Sequence, residues 1–90
     1  MNREGALKVA EQAETMLSLN RADQMMYTRA IMTLVQADTG HGQDSLAIMH
    51  LTRALQWNHQ SASSEFFPAE APGSRTLMQE LDRRSELARV

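Results

Sequence analysis

The residues of this sequence that are best suited to metal binding and to proton transfer near neutral pH are its three histidines, at positions 41, 50 and 59. None is followed by a second histidine three or four residues later, as in the H-E-x-x-H arrangement that places two ligands on one helix face. The sequence has no cysteine, which excludes thiol nucleophiles and cysteine-based zinc sites. We therefore predict no metal site and no cofactor.

The short segment from residue 40 to residue 45 contains other residue types that could do chemistry. His41, Asp44 and Ser45 are the types of a hydrolytic triad, but Asp44 and Ser45 stand where a helix needs an N-cap, and no strand-turn-helix elbow surrounds the serine. The Gly40-His41-Gly42 turn lacks the preceding strand and the lysine of a phosphate-binding loop. The sequence therefore predicts a protein that is not an enzyme and has no catalytic residues.

The composition favours helices over sheets. Val and Ile together number five, whereas good helix formers such as Ala, Leu, Met and Gln dominate the chain. Leu, Ile, Val and Phe total 17 of 90 residues, near the level at which disorder becomes a concern, but the net charge is only −2. No apolar run approaches the roughly 20 residues of a membrane span, and charges occur throughout the N-terminal segment, unlike in a signal peptide. We expect a cytoplasmic protein that does not bind membranes.

Hydrophobic spacing predicts an all-α fold, a small helical bundle of three main helices plus a weaker C-terminal helix after a linker. The predicted main helices span residues about 3–19, 21–38 and 44–59 and form a helical core over residues 1–60. Asn20 is the expected N-cap of the second helix, but no Gly or Pro enforces a break there, so one continuous helix over residues 3–38 is the alternative. Residues 61–74 are rich in Ser, Ala and Pro, and this composition predicts the linker. The C-terminal helix is predicted over residues 75–90.

Each main helix carries one apolar face that is wide enough to be buried. In the linker, Phe66 and Phe67 stand in a polar stretch, where they either dock on the helices or anchor a partner. The expected core residues are Ala6, Val9, Ala10, Ala13, Met16 and Leu17 in the first helix, Met26, Tyr27, Ala30, Ile31, Leu34 and Ala37 in the second, and Ala47, Ile48, Leu51, Ala54 and Leu55 in the third.

Two of these helices carry a further apolar strip outside the expected core face. Met25 and Met32 lie one heptad apart on the second helix and predict a homodimer interface. A ridge on the third helix predicts a partner-binding face, since Trp and Arg are enriched at interface hot spots and Met forms adaptable contacts. In the competing interpretation, Trp57 closes one end of the core. The ridge consists of Leu46, His50, Arg53 and Trp57, with Met49 beside it.

These features predict a small non-enzymatic regulator or inhibitor that masks or bridges a partner protein and forms a homodimer. In size and composition the chain resembles small bacterial or phage-encoded regulators, although it carries no family motif. The alternative is a helix-turn-helix DNA-binding regulator whose recognition helix spans residues 44–59. That helix has one arginine and an aspartate in its first turn, and the connection over residues 39–43 is longer than the usual three or four residues, so we expect no nucleic-acid binding.

Overall fold

A computed structural model describes residues 1–16, 19–61 and 73–88 of the chain, and the described residues form four α-helices and no strand. The helices are α1 (Arg3–Ala13), α2 (Arg21–Gly40), α3 (Asp44–Ser61) and α4 (Ser74–Ala88). The predicted all-α bundle is therefore confirmed. Leu17, Phe66, Phe67, most of the predicted linker and the last two residues of the predicted C-terminal helix lie outside the described residues.

Asparagine side chains cap the first two helices. The Asn2 side chain accepts a hydrogen bond from the Gly5 N–H at 2.7 Å, and the Asn20 side chain accepts one from the Asp23 N–H at 2.8 Å. Both bonds satisfy N–H groups that have no partner inside the first helical turn. The predicted N-cap at Asn20 is confirmed, and α1 and α2 are separate helices.

Helix α1 ends at Ala13 rather than near residue 19 because the backbone finds other hydrogen bonds there. The Thr15 hydroxyl donates to the Gln12 carbonyl at 2.7 Å, and the Thr15 N–H bonds the same carbonyl in a tighter turn. Such side-chain bonds compete with the helix ladder. Further on, the Leu19 N–H donates to the Ser61 carbonyl, which joins the start of α2 to the end of α3.

The connection between α2 and α3 consists of residues 41–43 only, so the five-residue connection expected from the sequence is wrong. Gly42 has a φ of +73°, the left-handed conformation that glycine adopts without a steric cost. The Gln43 N–H bonds the Asp38 carbonyl, and α3 begins immediately afterwards. Asp44 is therefore the first residue of α3 rather than the residue before it.

The helices pack in chain order: α1 on α2, α2 on α3 and α3 on α4, with a smaller contact between α2 and α4. Helices α2 and α3 run antiparallel, because the Leu19–Ser61 bond joins them at one end and a hydrogen bond between Asp38 and His50 joins them near the other. Helix α4 begins after Gly73, whose φ is +85°, and Gly73 lies so close to Thr28 that a side chain would overlap the threonine hydroxyl. Among the described residues no helix is long and apolar enough to cross a membrane.

The core follows most of the predicted apolar faces and departs from them at their edges. Met16 and Met26, both predicted core residues, are exposed, and four further predicted positions are only partly buried: Val9, Ala37, Ile48 and Leu55. Helix α1 meets α2 through three buried alanines, so the interface is narrow and leaves longer side chains at its rim. The buried apolar residues are Ala6, Ala10, Ala13, Leu19, Tyr27, Ala30, Ile31, Leu34, Val35, Ala47, Leu51, Ala54 and Leu77.

Candidate functional site

The predicted partner-binding ridge on α3 does not form one exposed surface. His50 is buried and its Nε2 lies 2.9 Å from Oδ2 of Asp38 on α2. Arg53 forms an ion pair with Glu14, beyond the end of α1. Both side chains thus contact other parts of the same chain, but His50 is buried, whereas the Arg53 side chain remains exposed.

The remaining ridge residues divide between the core and the surface. Trp57 is partly buried and packs against the core, and its indole nitrogen is buried without a hydrogen-bond partner in the described structure. Leu46 is also partly buried, whereas Met49 is 52% exposed. The placement of Trp57 agrees with the competing interpretation, in which this residue closes one end of the core.

Asp38 is the centre of a polar junction where α1, α2 and α3 meet. Its side chain is almost completely buried; Oδ1 accepts from Nε of Arg3 at 2.9 Å, and Oδ2 faces His50. The backbone carbonyl of Asp38 accepts from the N–H groups of His41 and Gln43. One residue thus ties together the start of α1, the end of α2 and the turn into α3.

A second polar contact lies at the other end of α1. The Tyr27 hydroxyl donates to Oε1 of Glu14 at 3.1 Å, and Arg53 donates to the other carboxylate oxygen. Between the two polar contacts is a cleft of about 30 Å³, lined by Leu7, Ala10, Glu11, Glu14, Ile31, Leu34, His50 and Arg53.

That cleft has room for one or two water molecules. Within residues 1–16, 19–61 and 73–88, no group of three or more His, Asp or Glu side chains is arranged to hold a metal ion. The polar groups at the junction are satisfied by each other, as expected for buried charges that stabilise a helix interface. The arrangement therefore positions the three helices relative to one another.

Burial raises the pKa of Tyr27 well above its ordinary value of about 10, and the adjacent carboxylate of Glu14 acts in the same direction. The folded protein therefore holds this proton more tightly than the unfolded chain does. Stability is fully present below pH about 10 and falls as the pH rises further, because only the unfolded chain then releases the proton.

We expect the phenol of Tyr27 to ionise only as the protein unfolds. Tyr27 is the one tyrosine of the sequence, so the ultraviolet absorbance of tyrosinate reports this residue alone. In an alkaline titration the rise in tyrosinate absorbance and the loss of helical circular dichroism should occur over the same pH range. In Tyr27→Phe the stability should fall less steeply as the pH rises above about 10. Tyrosinate absorbance near pH 10 in a fully helical protein would contradict this assignment.

The larger described pocket is a groove on the opposite flank of α1. It has a volume of about 130 Å³ and is lined by Val9, Gln12, Ala13, Met16, Asp23 and Met26, which we call the methionine groove. Met26 is 56% exposed and Met16 is also exposed. Asp23 is the one charged residue in this lining, whereas the cleft on the other flank contains two glutamates and an arginine. The groove is therefore the less polar of the two flanks.

The predicted dimer residues are placed differently from each other. Met25 is 58% exposed on the outer side of α2, whereas Met32 is partly buried and packs against the core. Met25 directly precedes Met26, so three exposed methionines, at positions 16, 25 and 26, lie near the N-terminal end of α2. The sequence pattern missed this grouping because it assigned Met16 and Met26 to the core; both are edge positions of their predicted apolar faces.

Together, the fold and this surface define a small all-α bundle with an exposed methionine-lined groove. Comparisons of the chain with protein-family models, with curated proteins and with solved structures each found no match.

Proposed function

We propose that the protein is a small non-enzymatic regulator or inhibitor, of the bacterial or phage type, that binds another protein in the cytoplasm and masks or bridges it. The methionine groove is the observation that supports this proposal most strongly. Exposed apolar side chains grouped in a concave surface are typical of protein-binding sites. Methionine is unbranched and polarisable, so it adapts its contact surface to the partner that it meets.

The lining of the methionine groove indicates what kind of partner surface would fit. Val9, Met16 and Met26 favour apolar side chains, such as those along one face of an amphipathic helix. Asp23 favours a lysine or arginine next to that apolar face, because opposite charges across an interface guide its orientation.

The proposal includes a homodimer, for which Met25 is the better supported of the two predicted residues. Its side chain points away from the bundle and would be buried if two copies of α2 met across a twofold axis. Met32 would contribute only the part that the core leaves uncovered. The methionine groove and Met25 lie on different sides of α2, since consecutive helical residues point about 100° apart, so one copy can contact both a partner and a second copy.

A helix-turn-helix DNA-binding regulator is the alternative function. The connection of three residues between α2 and α3 suits such a motif. However, α2 and α3 lie antiparallel along their lengths, whereas the two helices of that motif cross at about 90–120°. Arg53, the one arginine of α3, is paired with Glu14. These contacts favour protein binding.

We expect Met26→Glu to weaken partner capture by roughly 30-fold or more, the effect of losing a hot spot of about 2 kcal/mol. A charge in the groove would remain unpaired against an apolar partner surface. The measurement is capture from a lysate of the native host by the immobilised protein, followed by mass spectrometry and by titration of the captured protein.

Met78→Glu is the matched control, because Met78 is exposed to a similar extent on α4 and belongs neither to the groove lining nor to the predicted ridge. Both variants should keep the wild-type melting temperature. Equal capture by the two variants would reject the groove as the binding surface, and DNA binding that falls steeply with salt would favour the alternative function.

Light scattering should give about twice the 10.1 kDa chain mass for wild type, and a Met25→Glu variant with unchanged mass would reject Met25 as the dimer contact.

A further inference from the structure

Four buried polar side chains lie where α2, α3 and α4 meet: Gln24 and Thr28 of α2, Asn58 of α3 and Ser74 of α4. We call this group the polar layer. Gln24 is 0% exposed and Asn58 is 1% exposed, which is unusual for amides, since such side chains are mostly found at the surface.

Two contacts place these residues at the same level of the bundle. The Leu19–Ser61 bond sets the antiparallel pairing of α2 and α3, and Gln24 and Asn58 each lie about one helical turn inward from it, so both are near this end of the bundle. The contact of Gly73 with Thr28 brings the first turn of α4 to the same place. The polar layer therefore lies at one end of the bundle, under the start of α4.

The polar layer is not satisfied by hydrogen bonds in the described structure. Both amide atoms of Gln24, both amide atoms of Asn58 and the hydroxyls of Thr28 and Ser74 are buried without a partner. Each such group has lost its hydrogen bonds to water without gaining one in the protein, so the group as a whole destabilises the closed bundle. Buried polar groups that lack partners call for a specific explanation.

Helix α4 covers the α2–α3 surface without meeting its polar requirements. Leu77 is fully buried and Leu81 packs against the same core, so the apolar part of the surface is well matched. At the polar layer, by contrast, α4 supplies only Ser74, whose hydroxyl is itself unpaired. Release of α4 would expose Leu77 but would also allow water to reach the amides, and the second effect offsets part of the first.

We propose that the α2–α3 surface under α4 is a second protein-binding site, and that α4 occupies it in the free protein until an amphipathic helix of a partner replaces it. The partner helix would carry leucine-like side chains where α4 has Leu77 and Leu81. One turn before them it would carry an amide or carboxylate able to pair with Gln24 and Asn58. This proposal rests on the proposed protein-binding function but not on the methionine groove.

The first test asks whether α4 can be exchanged, with a fluorescently labelled synthetic peptide of residues 73–88 as the probe. In the full chain, Gly73→Ala should loosen α4, because the added methyl overlaps Thr28 and the left-handed φ disfavours alanine. We expect this variant to bind the peptide at least about tenfold more tightly than wild type does, by fluorescence anisotropy.

Leu77→Asp in the full chain is the second variant, because we expect a carboxylate at this fully buried position to detach α4, while α1, α2 and α3 keep their sequences. It should bind the same peptide, and a peptide carrying Leu77→Asp should bind to neither variant. The proposal is overturned if a variant that retains helical circular dichroism binds the wild-type peptide no more tightly than the wild-type protein does, because the surface is then not an exchangeable helix site.

The second test asks whether the unpaired amides assist the opening of α4, measured by native-state hydrogen exchange. Gln24→Met and Asn58→Leu, made together, keep the approximate side-chain shapes and remove the polar atoms. We expect the amides of α4 to exchange at least about tenfold more slowly in this double variant, because closing α4 no longer leaves amides unpaired. Gln36→Met, at an exposed position of α2, is the control and should leave exchange unchanged.

Faster exchange of α4 in the double variant would overturn the proposal, since it would mean that the amides stabilise the closed state through bound water. None of these variants alters the methionine groove. If the tests on α4 give the expected results but Met26→Glu does not weaken partner capture, only the groove proposal is refuted. If Met26→Glu weakens capture but the tests on α4 fail, only the proposal for α4 is refuted.

Discussion

Replacing Asp38 by alanine should lower the free energy of unfolding by about 3 kcal/mol, near the cost of removing one partner from a buried ion-paired group. Asp38 is only 4% exposed, and its loss would leave the buried His50 without its hydrogen-bond acceptor. Arg3 contributes less to this cost, because its side chain is 45% exposed and can be hydrated. In a domain of this size the loss should lower the melting temperature by roughly 12–24 °C.

Asp38→Asn and Asp44→Ala make this result specific. The amide introduced by Asp38→Asn would keep the shape of the side chain and one hydrogen bond, so this substitution should cost less than alanine does. Asp44 is exposed in the first turn of α3 and has no ion pair in the described structure, so Asp44→Ala should change the melting temperature little. If Asp38→Ala melts like Asp44→Ala, then the junction of α1, α2 and α3 does not depend on this carboxylate.

The helices themselves could be predicted from the sequence because their signals are local. Apolar spacing and the caps act within one or two turns. Asn20, for example, marks the start of α2 by a hydrogen bond to Asp23, only three residues later in the sequence. The early end of α1 was not predictable in the same way. It depends on Thr15, whose hydroxyl and N–H both bond the Gln12 carbonyl, and a threonine in an apolar-periodic segment does not by itself mark a helix end.

The polar contacts escaped prediction because they join distant parts of the chain. Asp38 and His50 are separated by 12 positions and meet across a tight turn, while Glu14 and Arg53 are separated by 39. A helical wheel shows which residues share a face, but it does not show which neighbouring helix that face meets. The residues of the α3 ridge do share a face, yet on that face His50 meets Asp38 of α2 and Arg53 meets Glu14 beyond the end of α1.

The methionine groove escaped for a different reason, since a wheel cannot show how wide a buried interface is. Helices that meet through alanines approach closely, and their contact covers a narrower stripe than larger side chains would. Met26, at the margin of its predicted face, is therefore left outside, whereas Met16 is exposed beyond the end of α1. The helical wheel did not show that these positions are exposed. The residue type is compatible with either placement, because methionine suits both a core and an adaptable binding surface.

Trp57→Ala should lower the free energy of unfolding by about 3 kcal/mol, toward the lower end of the range for a large aromatic residue, because the indole is only partly buried. Trp57 packs against the core near the end of α3, and its removal would leave a cavity there. It is the one tryptophan of the sequence, so the wild-type protein should also show blue-shifted fluorescence that moves to longer wavelength on unfolding.

Arg53→Ala distinguishes this structural role from a binding role on the same ridge. The Arg53 side chain is 57% exposed, so loss of its pair with Glu14 should cost less than about 1 kcal/mol and leave the fold intact. Partner capture by Arg53→Ala should then equal that of wild type, in contrast to Met26→Glu. If Arg53→Ala abolishes capture while Trp57→Ala leaves the melting temperature unchanged, the partner binds the α3 ridge after all.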